Sequence, residues 1–435
     1  MSLTMKHISV LLVLLLFSGL SALKAQTQAF TGAHIIPIDG EPIENGTLLI
    51  ENGKISAIGT ASEISVPDNA NVTDLSGKVV MPGLVDSHSH IGNGSGGDRS
   101  SALHPEVRIY DAIDVRADAI KKARAGGITS VNVMPGSGHL MSGQTIYLKL
   151  RNANTVDEML FVDDPTTEVF GGMKMANGTN SIRGTSGFPG TRAKSAAMVR
   201  ELYLEAQQYR QQIIDADGDA EKMPKRDLRM EALVQVLNGQ RIVHNHTHRH
   251  DDILTAIRLA KEFGYRMVLH HVSEGWKVAE EIAESGFPAS IIVLDSPGGK
   301  MEAVDLMYKT GKVLEDAGVT VGYHTDDGIT DSRVFLRSAA FGVRAGMSRK
   351  TALEAVTINN AKMMDIDDRT GTLTPGKDAD FIVLSGDPLS VYTTIEQTWI
   401  EGNQVYDHTN PEHNKFMTGG MDVFRGDIVH THHDH

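Results

Sequence analysis

The sequence contains no cysteine among its 435 residues. Disulfide bonds and thiolate metal sites are therefore both excluded, so any metal has to be held by histidine, carboxylate or a modified side chain. An exported protein without disulfides is more typical of a bacterial periplasm or cell surface than of a eukaryotic secretory route.

Positive charge is also scarce. The chain has 41 Lys and Arg against 55 Asp and Glu, which gives a formal net charge of -14 at pH 7. Nucleic acid is excluded as an expected partner, because phosphate binding relies on a basic surface. Aromatic residues make up only 5%, whereas there are 43 glycines. We expect this composition where many short loops join strands to helices.

Long apolar runs are confined to the start of the chain. Residues 8–17 are almost entirely apolar and rich in leucine, and small residues lead from there to Ala25. The run is shorter than the ~20 residues that a membrane span needs. It therefore predicts a signal peptide over residues 1–25 rather than an anchor, with residues 1–4 typical of a cloning remnant. Export to the periplasm or medium is expected, with no stable membrane span after leader removal.

Beyond residue 80 the chain alternates short apolar strands with helical stretches. Strands are predicted at residues 130–134, 145–150, 172–176, 241–244, 266–269, 289–294 and 320–323, and helices at 108–125, 191–214, 251–263, 275–285, 303–316 and 332–344. Repeated βα units imply a parallel sheet, and about eight of them predict an α/β fold closed into a (β/α)8 TIM barrel.

Strand-like segments at both ends predict a small β-sandwich domain formed from the two termini. Asn52-Gly53 between residues 47–51 and 54–58 is a strong type I′ hairpin signal. The predicted domains are a leader (1–25), the first part of the sandwich (26–80), the catalytic TIM barrel (81–367), and the second part of the sandwich with the tail (368–435).

Candidate metal ligands follow the predicted strands, at the face where barrel enzymes place their chemistry. They are His88, His90, His246, His271 and Asp326. Four imidazoles and a carboxylate form a site that suits Zn2+ and tolerates Mn2+ or Co2+. Spacing alone leaves two choices open, because His270 adjoins His271 and Asp327 adjoins Asp326.

Two motifs resemble those of the amidohydrolase superfamily. Residues 79–90 (VVMPGLVDSHSH) are similar to its opening barrel strand, and residues 371–384 (GTLTPGKDADFIVL) to its closing segment. Residues 123–134 and 351–364 also resemble segments of that superfamily, so the similarity covers nearly the whole mature chain. Within it, the chain resembles the imidazolonepropionase-related and Xaa-Pro dipeptidase-like enzymes.

The resemblance selects among the ambiguous ligands. His-Val-Ser-Glu at residues 271–274 resembles the family's His-Gly-Thr-Glu, and Thr325-Asp326 resembles its Thr-Asp at the final strand. His271 and Asp326 are therefore favoured over their neighbours, and His246 takes the ligand place ahead of His248. Two residues depart from the pattern: Val272 stands for the usual Gly and His270 for a common Glu.

Lys174 lies in a segment, GMKMANG at residues 172–178, that resembles the strand carrying a carboxylated lysine in dipeptidase-like relatives. Apolar surroundings lower the pKa of a lysine, so that the neutral amine can capture carbon dioxide and the resulting carbamate can bridge two cations. The alternative is an ordinary ion-paired lysine. The resemblance implies two zinc ions bridged by Lys174, one held by His88, His90 and Asp326 and the other by His246 and His271.

The implied reaction is hydrolysis of an amide or peptide bond in a small substrate, such as a dipeptide. Metal-activated hydroxide would attack, and Asp326 would act as the catalytic acid and base. Arg183 and Arg192 are candidate clamps for a substrate carboxylate, with a surface role as the alternative.

Three other functions stay open at this point. One is a one-metal opening of a cyclic amide, as in imidazolonepropionase relatives, and another is lactone or phosphoester hydrolysis. The third is a non-catalytic scaffold, which the complete set of candidate ligands disfavours. Homo-oligomers are common among such barrels.

Overall fold

The computed structural model describes residues 27–92, 94, 97–184, 187–292 and 300–424. The predicted leader at 1–25 and the last eleven residues, 425–435, lie outside this part. Within the described ranges no helix combines the length and the apolar character that crossing a membrane requires.

The strands in the described part of the chain are β1 Gln28–Ile35, β2 Ile43–Glu51, β3 Lys54–Thr60, β4 Asn71–Asp74, β5 Val79–Pro82, β6 Leu84–Ser89, β7 Ile128–Val133, β8 Met141–Gln144, β9 Ile146–Lys149, β10 Met173–Ala176, β11 Val243–Thr247, β12 Met267–His271, β13 Ala289–Ile291, β14 Val321–Tyr323, β15 Phe381–Leu384, β16 Ile395–Ile400 and β17 Asn403–Asp407. The α-helices are α1 Asp118–Ala125, α2 Arg192–Ala216, α3 Leu228–Leu237, α4 His250–Phe263, α5 Ala279–Ser285, α6 Thr310–Asp316, α7 Leu336–Arg344, α8 Arg349–Glu354, α9 Ile358–Lys362 and α10 Pro411–Thr418.

Strands from both ends of the chain share one eight-stranded sheet. Its order is β17-β16-β15-β5-β1-β2-β3, with β4 pairing β1. The two ends join where β15 runs antiparallel to β5. Phe30 packs edge-on against Phe381 and Trp399 at ring distances of 4.9 and 5.0 Å. Where two facing sheets were expected, β5 and β15 pair edge to edge, so the strands form one continuous sheet.

The predicted hairpin at Asn52-Gly53 is confirmed. Both residues have positive φ, 52° and 76°, as a type I′ turn requires. The turn joins β2 to β3, and the last residue pair before it is Glu51 opposite Lys54.

The remaining strands form a six-stranded sheet, β14-β13-β12-β11-β10-β8, and a three-stranded one, β6-β7-β9. Strands β10 to β14 are parallel and each is followed by a helix, so the α/β class is confirmed. The sequence predicted that all strands of this part would be parallel, and this prediction is wrong for one segment. Strands β8 and β9, which flank Thr145, run antiparallel to β10 and β7 respectively.

The single helix expected over residues 108–125 is another error. A 3₁₀ turn at Ile109–Ala112 ends at the extended residue Ile113, and α1 begins only at Asp118. The carboxylate of Asp114 accepts a hydrogen bond from Arg116 N at 2.9 Å. Such a side-chain bond gives a backbone N–H a partner outside a helix, and it therefore competes with helix formation.

Candidate metal centre

The predicted ligands lie on neighbouring strands of these two sheets. His88 lies in β6, Lys174 in β10, His246 in β11 and His271 at the end of β12. The strands were predicted to end before the histidines at 246 and 271, but β11 and β12 extend to include both. The register of parallel strands sets these side chains side by side, with His246 opposite His270.

The backbone takes rare conformations at two of the ligand positions. His271 and Asp326 have φ of 69° and 50°, and Val272 has φ of 51°. Such angles are costly for residues other than glycine and cluster at functional sites. Val272 stands where the family pattern has Gly, and the positive φ explains why Gly suits that position.

One half of the centre is built from His88, His90 and Asp326. Asp326 Oδ1 lies 2.9 Å from His90 Nε2 and 3.4 Å from His88 Nε2. The two Nε2 atoms are 3.3 Å apart. The other nitrogen of His90 lies 2.7 Å from the carbonyl oxygen of Met134, which orients the ring. Three donor atoms therefore converge on one point.

Lys174 and the other two histidines adjoin this group. Lys174 Nζ lies 3.2 Å from His88 Nε2. The rings of His246 and His271 are 4.3 Å apart, and that of His271 is 4.9 Å from His88. His88, His271 and Asp326 each offer a donor atom within 4.8 Å of the other two. The structure thus brings all six predicted ligands to one site.

Burial sets the protonation of these groups. Burial lowers the pKa of Lys174 to about 7, with the nearby Asp326 opposing the shift. Burial likewise holds the pKa of His88 and His271 well below the ordinary value, so both imidazoles are neutral. Burial raises the pKa of Asp326, but its hydrogen bond with His90 and the nearby positive charges outweigh that and lower it below its ordinary value. Neutral imidazoles and an ionised carboxylate are the metal-binding forms.

The donor set fits a divalent cation. His271 Nε2 is buried and has no hydrogen-bond partner among the described residues. Lys174 is fully buried, and in the described part of the chain no carboxylate lies within ion-pair distance of it. Its second neighbour is the sulfur of Met134 at 3.1 Å. An ordinary ion-paired lysine does not match these surroundings.

Buried polar residues outside the predicted ligand set surround the centre, and one of them, His324, was missed from the sequence. His324 stacks on His88 at 4.8 Å, and its nitrogens lie 2.8 Å from Ser290 Oγ and 3.2 Å from His271 Nδ1. Below it, His244 is hydrogen-bonded to His270 at 2.9 Å and to the hydroxyl of Tyr147 at 2.9 Å. His324 directly precedes Thr325-Asp326, and that position was the one available signal.

The two neighbouring aspartates have different partners. Asp327 lies 2.8 Å from Lys122 Nζ and accepts a hydrogen bond from Ser332 Oγ at 2.5 Å. Asp326 instead faces His88 and His90. These contacts favour Asp326 as the ligand and give Asp327 a structural role.

The two predicted substrate clamps have different partners. The guanidinium of Arg192 bonds both oxygens of Asp252, at 3.0 and 2.9 Å. That of Arg183 lies 4.6 Å above the ring of Phe188 and donates to Gly138 O at 2.9 Å. Both have partners within the chain, and their substrate roles stay predictions.

Comparison with known proteins gives consistent results. A family model described as "Amidohydrolase family" matches residues 277–406. The structure of an amidohydrolase from Thermotoga maritima is 33% identical and superposes with a TM-score of 0.81, over 87% of this chain and 99% of that one. The imidazolonepropionase of Rhizobium rhizogenes is 26% identical over 79% of this chain and 87% of its own length. The amidohydrolase tasK of Hapsidospora irregularis is 28% identical over 83% of this chain, which spans only 40% of that protein.

Proposed function

The chain belongs to the amidohydrolase superfamily, and from that premise we propose that it hydrolyses an amide bond of a small substrate at the site around Asp326. It is a hydrolase acting on C–N bonds. We propose a dipeptide or an N-acyl amino acid as the substrate. We also propose two zinc ions as the cations, held by His88, His90 and Asp326 and by His246 and His271, with carboxylated Lys174 between them.

The observation that carries this proposal is the convergence of His88, His90 and Asp326 with buried Lys174. Bound divalent cations there would supply Lewis acidity and acidify water. The chain's own residues hold and move the proton. Asp326 is ionised, so its carboxylate can accept a proton from the attacking water and deliver it to the leaving nitrogen. The Nε2 atoms of His90 and His88 flank this carboxylate, 2.9 and 3.4 Å from Asp326 Oδ1.

Replacement of the bridging lysine tests this assignment. We expect Lys174→Ala to lower the zinc bound at this centre from two ions per chain to one or none, because the shared ligand is lost. Elemental analysis of wild type and variant measures the change. In the wild type, carbon-13 NMR after exchange with labelled bicarbonate should show a carbamate resonance that the variant lacks.

The neighbouring lysine Lys300 is a suitable control, because it follows the β13 strand and is not part of the proposed ligand set. Lys300→Ala should keep both zinc ions and the carbamate signal. If Lys174→Ala retains the full metal content of the wild type, the bridged centre is wrong. Substrate screening would then turn from dipeptides and N-acyl amino acids to cyclic amides.

Opening of a cyclic amide by one cation is the second candidate. The similarity to imidazolonepropionases over about four fifths of the chain favours it. The two candidates differ in their need for Lys174, since a one-metal site has no use for a bridge. One zinc per chain, unchanged in Lys174→Ala, would support the cyclic-amide reaction.

We propose further that the two sheets carrying the site close into one barrel. Asn360 Nδ2 donates to Val85 O and to Tyr323 O, both at 2.6 Å, and so joins β6 to β14. At the same seam Asp326 N donates to His88 O at 2.9 Å. These bonds support closure where the strand ladder itself is interrupted.

The effect of Asn360→Ala on stability tests this seam. Asn360 is fully buried, and its loss would remove the donor that these two carbonyls share. We expect the free energy of unfolding to fall by about 1–3 kcal/mol. Denaturant titration followed by circular dichroism measures the change. Asn359→Ala, in the same helix, removes only one bond, to Val321 O. An equal or larger loss in Asn359→Ala would argue against a special role for the seam.

Export through the leader at 1–25 and assembly into homo-oligomers are further proposals. Mass spectrometry of the protein recovered from the periplasm would show whether the mature chain begins at Gln26. Analytical ultracentrifugation would measure the oligomeric state.

A further inference from the structure

A second group of ligand side chains lies beside the centre. His246, His248 and Glu302 each offer one donor atom within 4.8 Å of the other two. Their exposed fractions are 2, 6 and 3%. His248 and Glu302 take no part in the proposed reaction, so their close approach in the interior requires a separate explanation.

Two atoms of this group lack partners. His248 Nε2 and Glu302 Oε1 are buried and make no hydrogen bond to the described residues. Leaving buried polar atoms unpaired is costly, and buried polar groups in proteins are normally bonded. Two such atoms on side chains that approach each other indicate a ligand between them.

Each of the two side chains is fixed through its other atom. His248 Nδ1 lies 2.7 Å from Ser273 Oγ. Glu302 Oε2 accepts a hydrogen bond from Thr179 N at 2.7 Å. Metal-binding histidines and carboxylates are typically held in this way, with one atom bonded outward and the other left for the cation.

The neighbouring backbone leaves room for the carboxylate. Gly178 has φ of 73°, and a Cβ at this position would lie 2.6 Å from Glu302 Oε2. Glycine therefore allows both the turn and the approach of Glu302. The bonding of Thr179 N to Glu302 depends on this same turn.

The charge on Glu302 is only partly balanced by the chain. Arg192 Nη2 lies 3.7 Å from Glu302 Oε2, but the bonds of Arg192 Nε go to Asp252. Lys300 is near enough to interact with Glu302 electrostatically, although no ion pair joins them in the described part of the chain. The unpaired oxygen thus keeps the capacity to bind a cation.

We propose that His248 and Glu302 hold a further divalent cation beside the catalytic centre, with His246, which the two sites share, as the third donor. Two imidazoles and a carboxylate form a donor set that zinc favours. The cation would tie β11 to the 3₁₀ turn Met301–Ala303, beside the catalytic centre, because the ring of His246 lies 4.3 Å from that of His271. The inference rests on the proposed function only in that His246 lies within reach of both sites.

Zinc titration of the full chain and of Glu302→Gln tests the proposal. The amide keeps an acceptor for Thr179 N but loses the charge. After removal of metal with a chelator, equilibrium dialysis and elemental analysis give the number and affinity of bound zinc ions. We expect Glu302→Gln to bind one ion fewer than the wild type, or to bind that ion at least about 100-fold more weakly. The sequence also has histidines at positions 430, 432, 433 and 435. Any zinc that they bind is the same in both proteins and cancels when the two zinc contents are subtracted.

Two further variants complete the test. His248→Gln should lose the same ion, and it serves as the second probe if Glu302→Gln does not fold. Glu274→Gln is the matched control, because both carboxylate oxygens of Glu274 already have partners, His250 at 2.6 Å and Lys277 at 2.9 Å. It should bind as many zinc ions as the wild type.

The outcomes separate this inference from the proposed function. Unchanged zinc number and affinity in both Glu302→Gln and His248→Gln would overturn the inference, even if turnover fell, and would leave the catalytic proposal intact. Loss of an ion in these variants would support it even if Asp326 proved dispensable for turnover.

Discussion

Asp326→Asn should lower kcat by about 10²–10⁴-fold, the range that positioned acid and base groups contribute. The asparagine side chain is nearly the same size but cannot accept and return a proton. KM should change little, because no substrate contact is assigned to this carboxylate. Steady-state kinetics on any substrate found in the dipeptide and N-acyl panel would measure both constants. Zinc content should be measured beside them, since Asp326 is also a proposed ligand.

Asp327→Asn is the control that the chain itself provides. Asp327 is buried and paired with Lys122, so its loss should reduce stability while leaving the turnover of folded molecules close to that of the wild type. A fall in kcat confined to Asp327→Asn would transfer the catalytic role to that residue. If Asp326→Asn kept full turnover, the proposed role of Asp326 in proton transfer would be wrong.

The convergence of the proposed ligands could be predicted because each lies in a strand or shortly after one. The carboxyl ends of parallel strands meet at one end of a sheet, so positions such as His88, His246 and His271 are expected to converge, whereas the family resemblance singled out Lys174. Spacing could not choose between His270 and His271, or between Asp326 and Asp327. The resemblance favoured one of each pair, and the contacts of Asp327 with Lys122 and Ser332 agree with that choice for the aspartates.

Other features could not be predicted because their partners are far apart in the sequence. Glu302 meets His248 from the short 3₁₀ turn Met301–Ala303, which no periodic pattern in the sequence indicates. The reversal of β8 and β9 depends on pairing with β10 and β7, which local propensity does not encode. Asp114 ended the expected helix through a bond to Arg116, and aspartate alone gives no clear sign of such a turn.

The same limitation hid a buried ionic cluster between strand β9 and the eight-stranded sheet formed from both ends of the chain. Lys149 is fully buried in β9 and pairs with Asp378, with Asp380 at 3.0 Å and with Glu401 at 3.2 Å. Lys149 and Asp378 are 229 positions apart in the chain. Arg151 adds a bond to Glu401 at 2.6 Å. Because this cluster spans both parts of the structure, it should stabilise their contact.

Lys149→Met should therefore lower the free energy of unfolding by about 3–5 kcal/mol, the cost of breaking a buried ion pair from one side. Methionine fills a similar volume, but it leaves the carboxylates of Asp378, Asp380 and Glu401 without their central cation. Urea titration of wild type and variant measures the loss. Arg200→Met breaks the exposed pair with Glu262 and should cost no more than about 1 kcal/mol. Equal losses in the two variants would show that the cluster is no more important than a surface pair.

The pH dependence of this difference gives a second, independent check. Burial raises the pKa of Asp378, but the charge of Lys149 and hydrogen bonds outweigh it and lower the pKa to about 2. In the unfolded chain an aspartate titrates at about 3.9. A depressed pKa stabilises the fold above the unfolded value, and this contribution is lost as the pH falls through the folded one. The stability difference between wild type and Lys149→Met should thus be constant above pH ~5 and narrow as the pH is lowered towards about 2. A difference that stayed constant over this range would assign the loss to packing rather than to charge.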